Sequence, residues 1–228
     1  MEGAWRNISI SAALSWLMKF VMVLLFFYHI AIADYLFVVA CAIALVVSFA
    51  PSVIQRSYHV TLPFEIDLLV TLAIFLHIYL GEELMFYERI GFWDAILHFF
   101  NTSVISLLGF MIVYTLHYTH KLRFTIPMFG FFTVIFALSM GVIWEILEFL
   151  VDSIFHTTAQ KGLADTMWDL IFDLIAGIVV AIFGMLYARY SVPEERKRMT
   201  KPIGEVLGLS DRIDRFKGKF KGNRRGGL

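Results

Sequence analysis

Long apolar runs alternate with short polar connections along this chain. Six of the runs approach or exceed the length a helix needs to cross a bilayer, about 20 residues. They cover residues 12–32, 35–50, 64–80, 93–116, 124–152 and 165–189. The second run is short and is closed by Pro51, and the third opens with Glu65 and Asp67. The fifth is long enough to tilt or to project beyond the membrane. The pattern predicts an all-α fold, a polytopic membrane helix bundle with about six transmembrane helices over 1–190, followed by a basic cytoplasmic tail over 191–228.

Polar residues interrupt three of these runs with helical spacing. The fourth carries Asp94 and His98, the fifth Glu145, Glu148 and Asp152, and the sixth Asp165, Asp169 and Asp173. A helix turns about 100° per residue, so spacings of three, four and seven keep such groups on one face. Ionised side chains at membrane depth are costly and face a protein interior, a cavity or a partner ion. No Arg or Lys is interleaved with these eight groups. Their charge therefore calls for a metal ion or for shared protons. Glu145, flanked by Ile143, Trp144, Ile146 and Leu147, has no route to water along its own helix. Asp94 alone reads equally as a helix-dipole charge and Asp165 as a helix cap, and Asn101 and Ser103 follow His98 as possible supports.

Composition agrees with the pattern: 59% of the chain is hydrophobic and 16% aromatic, well above a soluble domain. The zero net charge conceals an asymmetry. Residues 1–188 hold seven basic and fourteen acidic side chains, and residues 189–228 hold twelve basic and five acidic. Basic residues also mark Arg6, Arg56, and Lys121 with Arg123, whereas the alternate connections hold none, Arg89 alone and Lys161 alone. By the positive-inside rule both termini face the cytoplasm of a cell inner membrane. The three acidic stripes then fall at one height, on the outer side.

The tail suggests a short amphipathic helix over 199–221, with Ile203, Val206, Leu207, Leu209, Ile213, Phe216 and Phe220 spaced among bases. Such a helix suits anionic inner-leaflet lipid. No recognition motif accompanies the bases, so nucleic acid is not an expected partner, and oligomeric state is not legible. Cys41, the single cysteine, excludes an intrachain disulfide and reads as a buried small hydrophobe. Glu82, Glu83 and Glu88 read as solvated loop charge, and His77 as a buried helix residue.

Carboxylates with one imidazole suit a divalent metal ion: Mg, Mn, Ca, Fe or Zn. The candidate metal ligands are Asp94, His98, Glu145, Glu148, Asp152, Asp165, Asp169 and Asp173. Glu145 and His98 are the candidate catalytic proton carriers. The connection after the fifth run places His156, Gln160 and Lys161 over the stripes, and Arg89 lies in a neighbouring connection. These four are candidate substrate-binding groups for a phosphate or another anion. No His-Glu-x-x-His, Gly-x-Ser-x-Gly or phosphate-binding glycine loop is present.

The segments Asp94-Ala95-Ile96-Leu97-His98-Phe99, the stretch around Glu145, and Gln160-Lys161-Gly162 through Asp165-Thr166-Met167-Trp168-Asp169-Leu170 to Asp173 and Gly177 resemble the YjdF-like bacterial inner-membrane proteins. More distantly, the order of the Asp-x-x-x-His, Glu and Asp-x-x-x-Asp elements is similar to the VanZ-like group, whose link to glycopeptide resistance implies a cell-envelope setting. The resemblance covers about residues 80–185. It implies architecture and candidate residues but no reaction.

Three functions fit these residues. The first is a metal-dependent hydrolase or transferase acting on a phosphate-containing or lipid-linked envelope substrate. The second is a divalent cation or proton transporter. The third is a structural or regulatory envelope protein with a metal-stapled bundle. Transport requires polar groups through both halves of the membrane. Within the inner halves of the last three runs, 107–116, 124–141 and 176–188, the only ionisable side chains are Tyr114 and Tyr187. Glu65 and Asp67 are the exception elsewhere, able to begin an inner half-pathway.

Overall fold

In the computed structural model, residues 9–63, 65–119 and 121–209 are described. Their regular structure is helical throughout: α1 (Ile10–Ala31), α2 (Tyr35–Ser57), α3 (Ile66–Phe75), α4 (Phe86–Arg89), α5 (Trp93–Tyr118), α6 (Ile126–Phe155), α7 (Leu163–Tyr190) and α8 (Pro193–Val206). Five of these, α1, α2, α5, α6 and α7, are long and apolar enough to cross a membrane. Large apolar side chains such as Phe27 on α1, Val46 on α2, Phe149 on α6 and Phe183 on α7 lie on the outside. An apolar exterior on every long helix is the mark of a protein whose solvent is lipid.

α2 and the expected third span differ from the sequence pattern. α2 runs through Pro51 to Ser57 instead of stopping. Proline removes one backbone hydrogen bond, but Pro51 is buried within the packed helix, and tertiary contacts carry the helix past it. The expected third span is α-helical for only ten residues. It continues without a break into a π-helix over Leu76–Glu83. The wider π turns redirect its last side chains, and the ring of Tyr87 fills the space a side chain at Gly81 would need.

The described residues pack as two compact units, which divide between Trp93 and Asp94. In the first, α1, α2 and α3 contact one another pairwise. Leu25, Cys41, Ala44 and Ile78 form an apolar cluster. Lys19, 1% exposed on α1, donates to Asp67 Oδ1 at 2.9 Å and to Ser52 Oγ at 3.2 Å. Asp67 also accepts from Ser15 and Ser52, each at 2.5 Å. An ammonium and a carboxylate withdrawn from water hold only when both are paired and hydrogen-bonded, and here both are. His29 lies between Asp34, 3.2 Å from Nδ1, and Glu83, 2.9 Å from Nε2, and stacks on Phe37. Glu83 is therefore a bonded group at the end of the π-helix and not solvated loop charge. His77 is half-buried and pairs with the Tyr87 hydroxyl at 2.6 Å.

In the second unit, α6 and α7 lie against each other. Small residues make this contact possible: a Cβ added at Gly177 would stand 2.8 Å from the Ala137 Cβ. α5 joins them through Gly109, which faces the ring of Phe136, and through Phe110, which faces Gly184. Tyr114, fully buried, bonds Ser191 at 2.8 Å. α8 starts earlier than the pattern suggests, at Pro193, and the chain turns at Gly208 with φ +67°. Its Met199 is buried, whereas Lys197, Arg198 and Lys201 are exposed. Arg196 donates to the Ser191 carbonyl at 2.9 Å and sits over the Tyr118 ring. Ile213, Phe216 and Phe220 of the expected tail helix lie outside the described residues.

Candidate metal centre

The site is assembled in the second unit by α5, α6 and α7. Asp94 stands in the first turn of α5 and His98 one turn further in. α6 contributes Glu145 and α7 contributes Asp169 and Asp173, and these three are all buried. One ligand atom each from Asp94, His98 and Asp169 lie within 4.8 Å of one another. His98 Nε2 is 3.8 Å from Glu145 Oε1 and 3.9 Å from Asp94 Oδ1. Those separations are too long for hydrogen bonds. Two ligands about 2.0–2.2 Å from one tetrahedral ion stand about 3.4 Å apart, so the cluster would have to draw in by a few tenths of an ångström to hold one.

The other face of the imidazole explains its orientation. His98 Nδ1 lies 3.3 Å from Asp173 Oδ1, and Thr102 Oγ1 donates to the same oxygen at 2.5 Å. Asp173 has no exposed surface. Its carboxylate fits only because residue 141 on α6 is glycine: a side chain there would collide with Asp173 Oδ2. A carboxylate on one ring nitrogen turns the other toward the ligand cluster, which is the usual arrangement of a metal-binding histidine. Asp173 is thus placed behind His98 and not beside Asp94 and Asp169.

The remaining candidates are distributed around this cluster. Glu148, half-buried, accepts from the Trp144 indole at 2.8 Å. Asp152 accepts from Thr157 Oγ1 at 2.5 Å and from the backbone N–H groups of Ala159 and Gln160, each at 2.8 Å. Asp165 accepts from the Lys161 N–H at 3.1 Å. Asp152 and Asp165 therefore shape the α6–α7 loop, with His156 in the left-handed conformation that ends α6. The loop carries Gln160 Nε2 to 2.8 Å from Thr166 Oγ1 and 3.5 Å from Glu145 Oε2, and Lys161 Nζ to 3.3 Å from Asp94 Oδ2. His156 is exposed. Arg89 ends α4 in the first unit and is also exposed. Ser103 bonds back to the Phe99 carbonyl at 2.7 Å, so it does not support the cluster.

Two contributors escape the pattern of charges. Thr102 continues the Asp94–His98 stripe by one more turn, and that i+4 spacing is its only trace in the sequence. Gly141 stands one turn before Glu145, but nothing local shows that its missing side chain accommodates a carboxylate from another helix.

A family model described as a predicted membrane protein (DUF2238) matches residues 13–190, and the chain belongs to that family. An uncharacterized protein of Thermotoga maritima is 40% identical over 136 residues, covering 58% of this chain and 68% of the relative. No solved structure matches.

Proposed function

We propose that the chain is a metal-dependent membrane enzyme, a hydrolase or transferase, acting on a phosphate-containing or lipid-linked substrate at the outer side of the plasma membrane. One observation carries the metal reading. Glu145 Oε1 is buried and has no hydrogen-bond partner, yet it points toward His98 Nε2 beside Asp94 and Asp169. An orphaned carboxylate oxygen in a dry bundle is expensive, and a divalent cation is the group that satisfies it together with its neighbours. The donor set of one imidazole and several carboxylates suits Mn, Fe or Zn, with Mg and Ca less well matched to nitrogen.

When bound, such an ion supplies Lewis acidity and lowers the proton affinity of nearby water. The chain's residues do the rest. Thr102 and Asp173 hold the His98 ring. With an ion in the cluster, His98 Nε2 and Glu145 Oε1 would be taken up as ligands, so Glu145, through its other oxygen, is the group placed to take up and release a proton there.

Packing beneath the site favours an enzyme over a transporter. Below Asp173 the second unit continues with Ala137, Gly177, Phe110, Gly184, Phe129 and Tyr114, most of them fully buried. This layer offers no second set of charged ligands for a passing ion. Asp67, which a pathway would recruit in the first unit, is committed to Lys19.

The likeness to YjdF-like inner-membrane proteins is consistent with the family and supports a plasma-membrane location, and the basic connections support cytoplasmic termini. The more distant VanZ likeness rests on motif order alone. The decisive experiment is elemental analysis of the purified chain beside its Glu145→Gln and Asp169→Asn variants. Stoichiometric metal in the parent and its loss in both variants is expected. A folded parent chain that retains no divalent ion after incubation with Mn, Fe or Zn rejects the reading and leaves a structural role.

A further inference from the structure

Three consecutive backbone donors of the α6–α7 loop are committed to aspartates: the N–H groups of Ala159 and Gln160 go to Asp152 and that of Lys161 to Asp165. Its side chains differ from one another. The Gln160 amide is shared between Thr166 and Glu145 inside the site. The Lys161 ammonium, on a side chain 46% exposed, reaches Asp94 Oδ2 at 3.3 Å. It is the one basic side chain among the described residues bonded to a carboxylate of the cluster.

We propose that the centre is a coupled cation–oxyanion site: a divalent cation displaces Lys161 from Asp94, and the freed ammonium together with the cation receives a phosphate group. The inference rests on the metal reading above. It is supported by the orphaned Glu145 oxygen, which directs a cation to the cluster, and by the position of Lys161 on Asp94.

The electrostatics order the two events. Without a cation, an anion meets Asp94, Glu145, Asp169 and Asp173 and is repelled. A divalent ion among Asp94, His98 and Asp169 neutralises that field and repels the ammonium beside it. A half-exposed lysine pair is weak enough to be exchanged. The long, flexible lysine stem lets the ammonium swing away without moving the loop, whose backbone is pinned by two aspartates. The site therefore takes a phosphate only as a partner of the cation. Both a free phosphate ion and a phospholipid headgroup present that chemistry.

The test uses the full chain in detergent micelles, with Mn as the cation probe. Inorganic phosphate and a short-chain phosphatidate are the two anion arms. Mn binding is read by loss of the free-ion electron resonance signal, and anion binding by paramagnetic broadening of the phosphorus resonance together with equilibrium dialysis. Phosphate or phosphatidate is expected to bind the Mn-loaded chain at least tenfold more tightly than the metal-free chain. Stronger binding in the phosphatidate arm assigns a lipid headgroup, and equal binding assigns free phosphate. Lys161→Met should keep Mn binding at or above the parent level and lose anion binding at least tenfold, with Lys161→Arg restoring part of it. Anion binding that is independent of Mn, or unchanged in Lys161→Met, overturns the coupling while leaving the metal reading intact. A Lys161→Met chain that fails to bind Mn also overturns it. Absence of Mn binding in the parent chain removes both.

Discussion

Asp173 holds His98 from behind: its Oδ1 lies 3.3 Å from Nδ1, so that Nε2 faces Glu145 and Asp94. The pair links α7 to α5 at a point with no access to solvent on the Asp173 side. Orientation of the imidazole is thus set by a carboxylate outside the cluster, and that carboxylate is in turn anchored by Thr102.

Loosening this anchor should weaken metal binding without removing a ligand. Thr102→Val and Asp173→Asn are each expected to lower Mn affinity by about 10- to 100-fold, as changes behind a metal-bound histidine do elsewhere. His98→Gln should lower it further. Equal affinities in the parent and Asp173→Asn chains would show that His98 needs no such support.

Gly141→Ala tests the close approach of α6 to Asp173. The added methyl has no room against the carboxylate, and overpacking of this kind costs about 1–3 kcal/mol. Gly177→Ala meets Ala137 instead, at 2.8 Å, and leaves Asp173 untouched. Both variants should melt earlier in detergent, but Gly141→Ala alone should also lose Mn affinity. The same metal affinity in both would reduce Gly141 to a packing residue.

The Lys19–Asp67 pair should dominate the stability of the first unit. Lys19→Met strands a carboxylate whose side chain is 21% exposed, and breaking a buried pair costs about 3–5 kcal/mol. The double variant Lys19→Met/Asp67→Asn removes both charges and should recover most of that loss. Thermal unfolding of the three chains in one detergent measures it. A harmless Lys19→Met would mean that water reaches Asp67 freely.

Cysteine accessibility tests the orientation. In a Cys41→Ala background, Thr158→Cys in the α6–α7 loop should react with an impermeant maleimide from outside intact cells, and Arg123→Cys only after the membrane is opened. The reverse pattern would turn the candidate centre toward the cytoplasm and end the outer-side reading.

The exposed bases of α8 make a separate prediction for lipid. Replacing Lys197, Arg198 and Lys201 together by alanine should reduce the anionic lipid that co-purifies with the full chain. Raising salt should have the same effect on the parent, because such contacts are screened over about 10 Å at 0.1 M. Unchanged lipid retention would leave α8 as a helix held by its buried side, Met199, Thr200 and Pro202, and by Arg196.

Periodicity alone determined the long apolar helices and the faces that carry charge, but not the passage of α2 through Pro51 or the π-helical end of the third span. Long apolar runs exclude strands and soluble domains, and the spacings of Asp94 with His98 and of Asp165, Asp169 and Asp173 place each set along one side of a helix. Those facts follow from local geometry, since 3.6 residues per turn act on neighbours in sequence. Tertiary structure decided what each charge does. Asp169 faces the cluster, Asp173 stands behind the imidazole, and Asp152 and Asp165 accept loop N–H groups, although all four look alike along the chain. The same holds for Lys19, which interrupts an apolar run in the sequence and closes a buried pair with Asp67 in the fold. Which partner a carboxylate meets depends on residues far away in the sequence and on where glycines let the helices approach. Helical spacing carries no record of that choice.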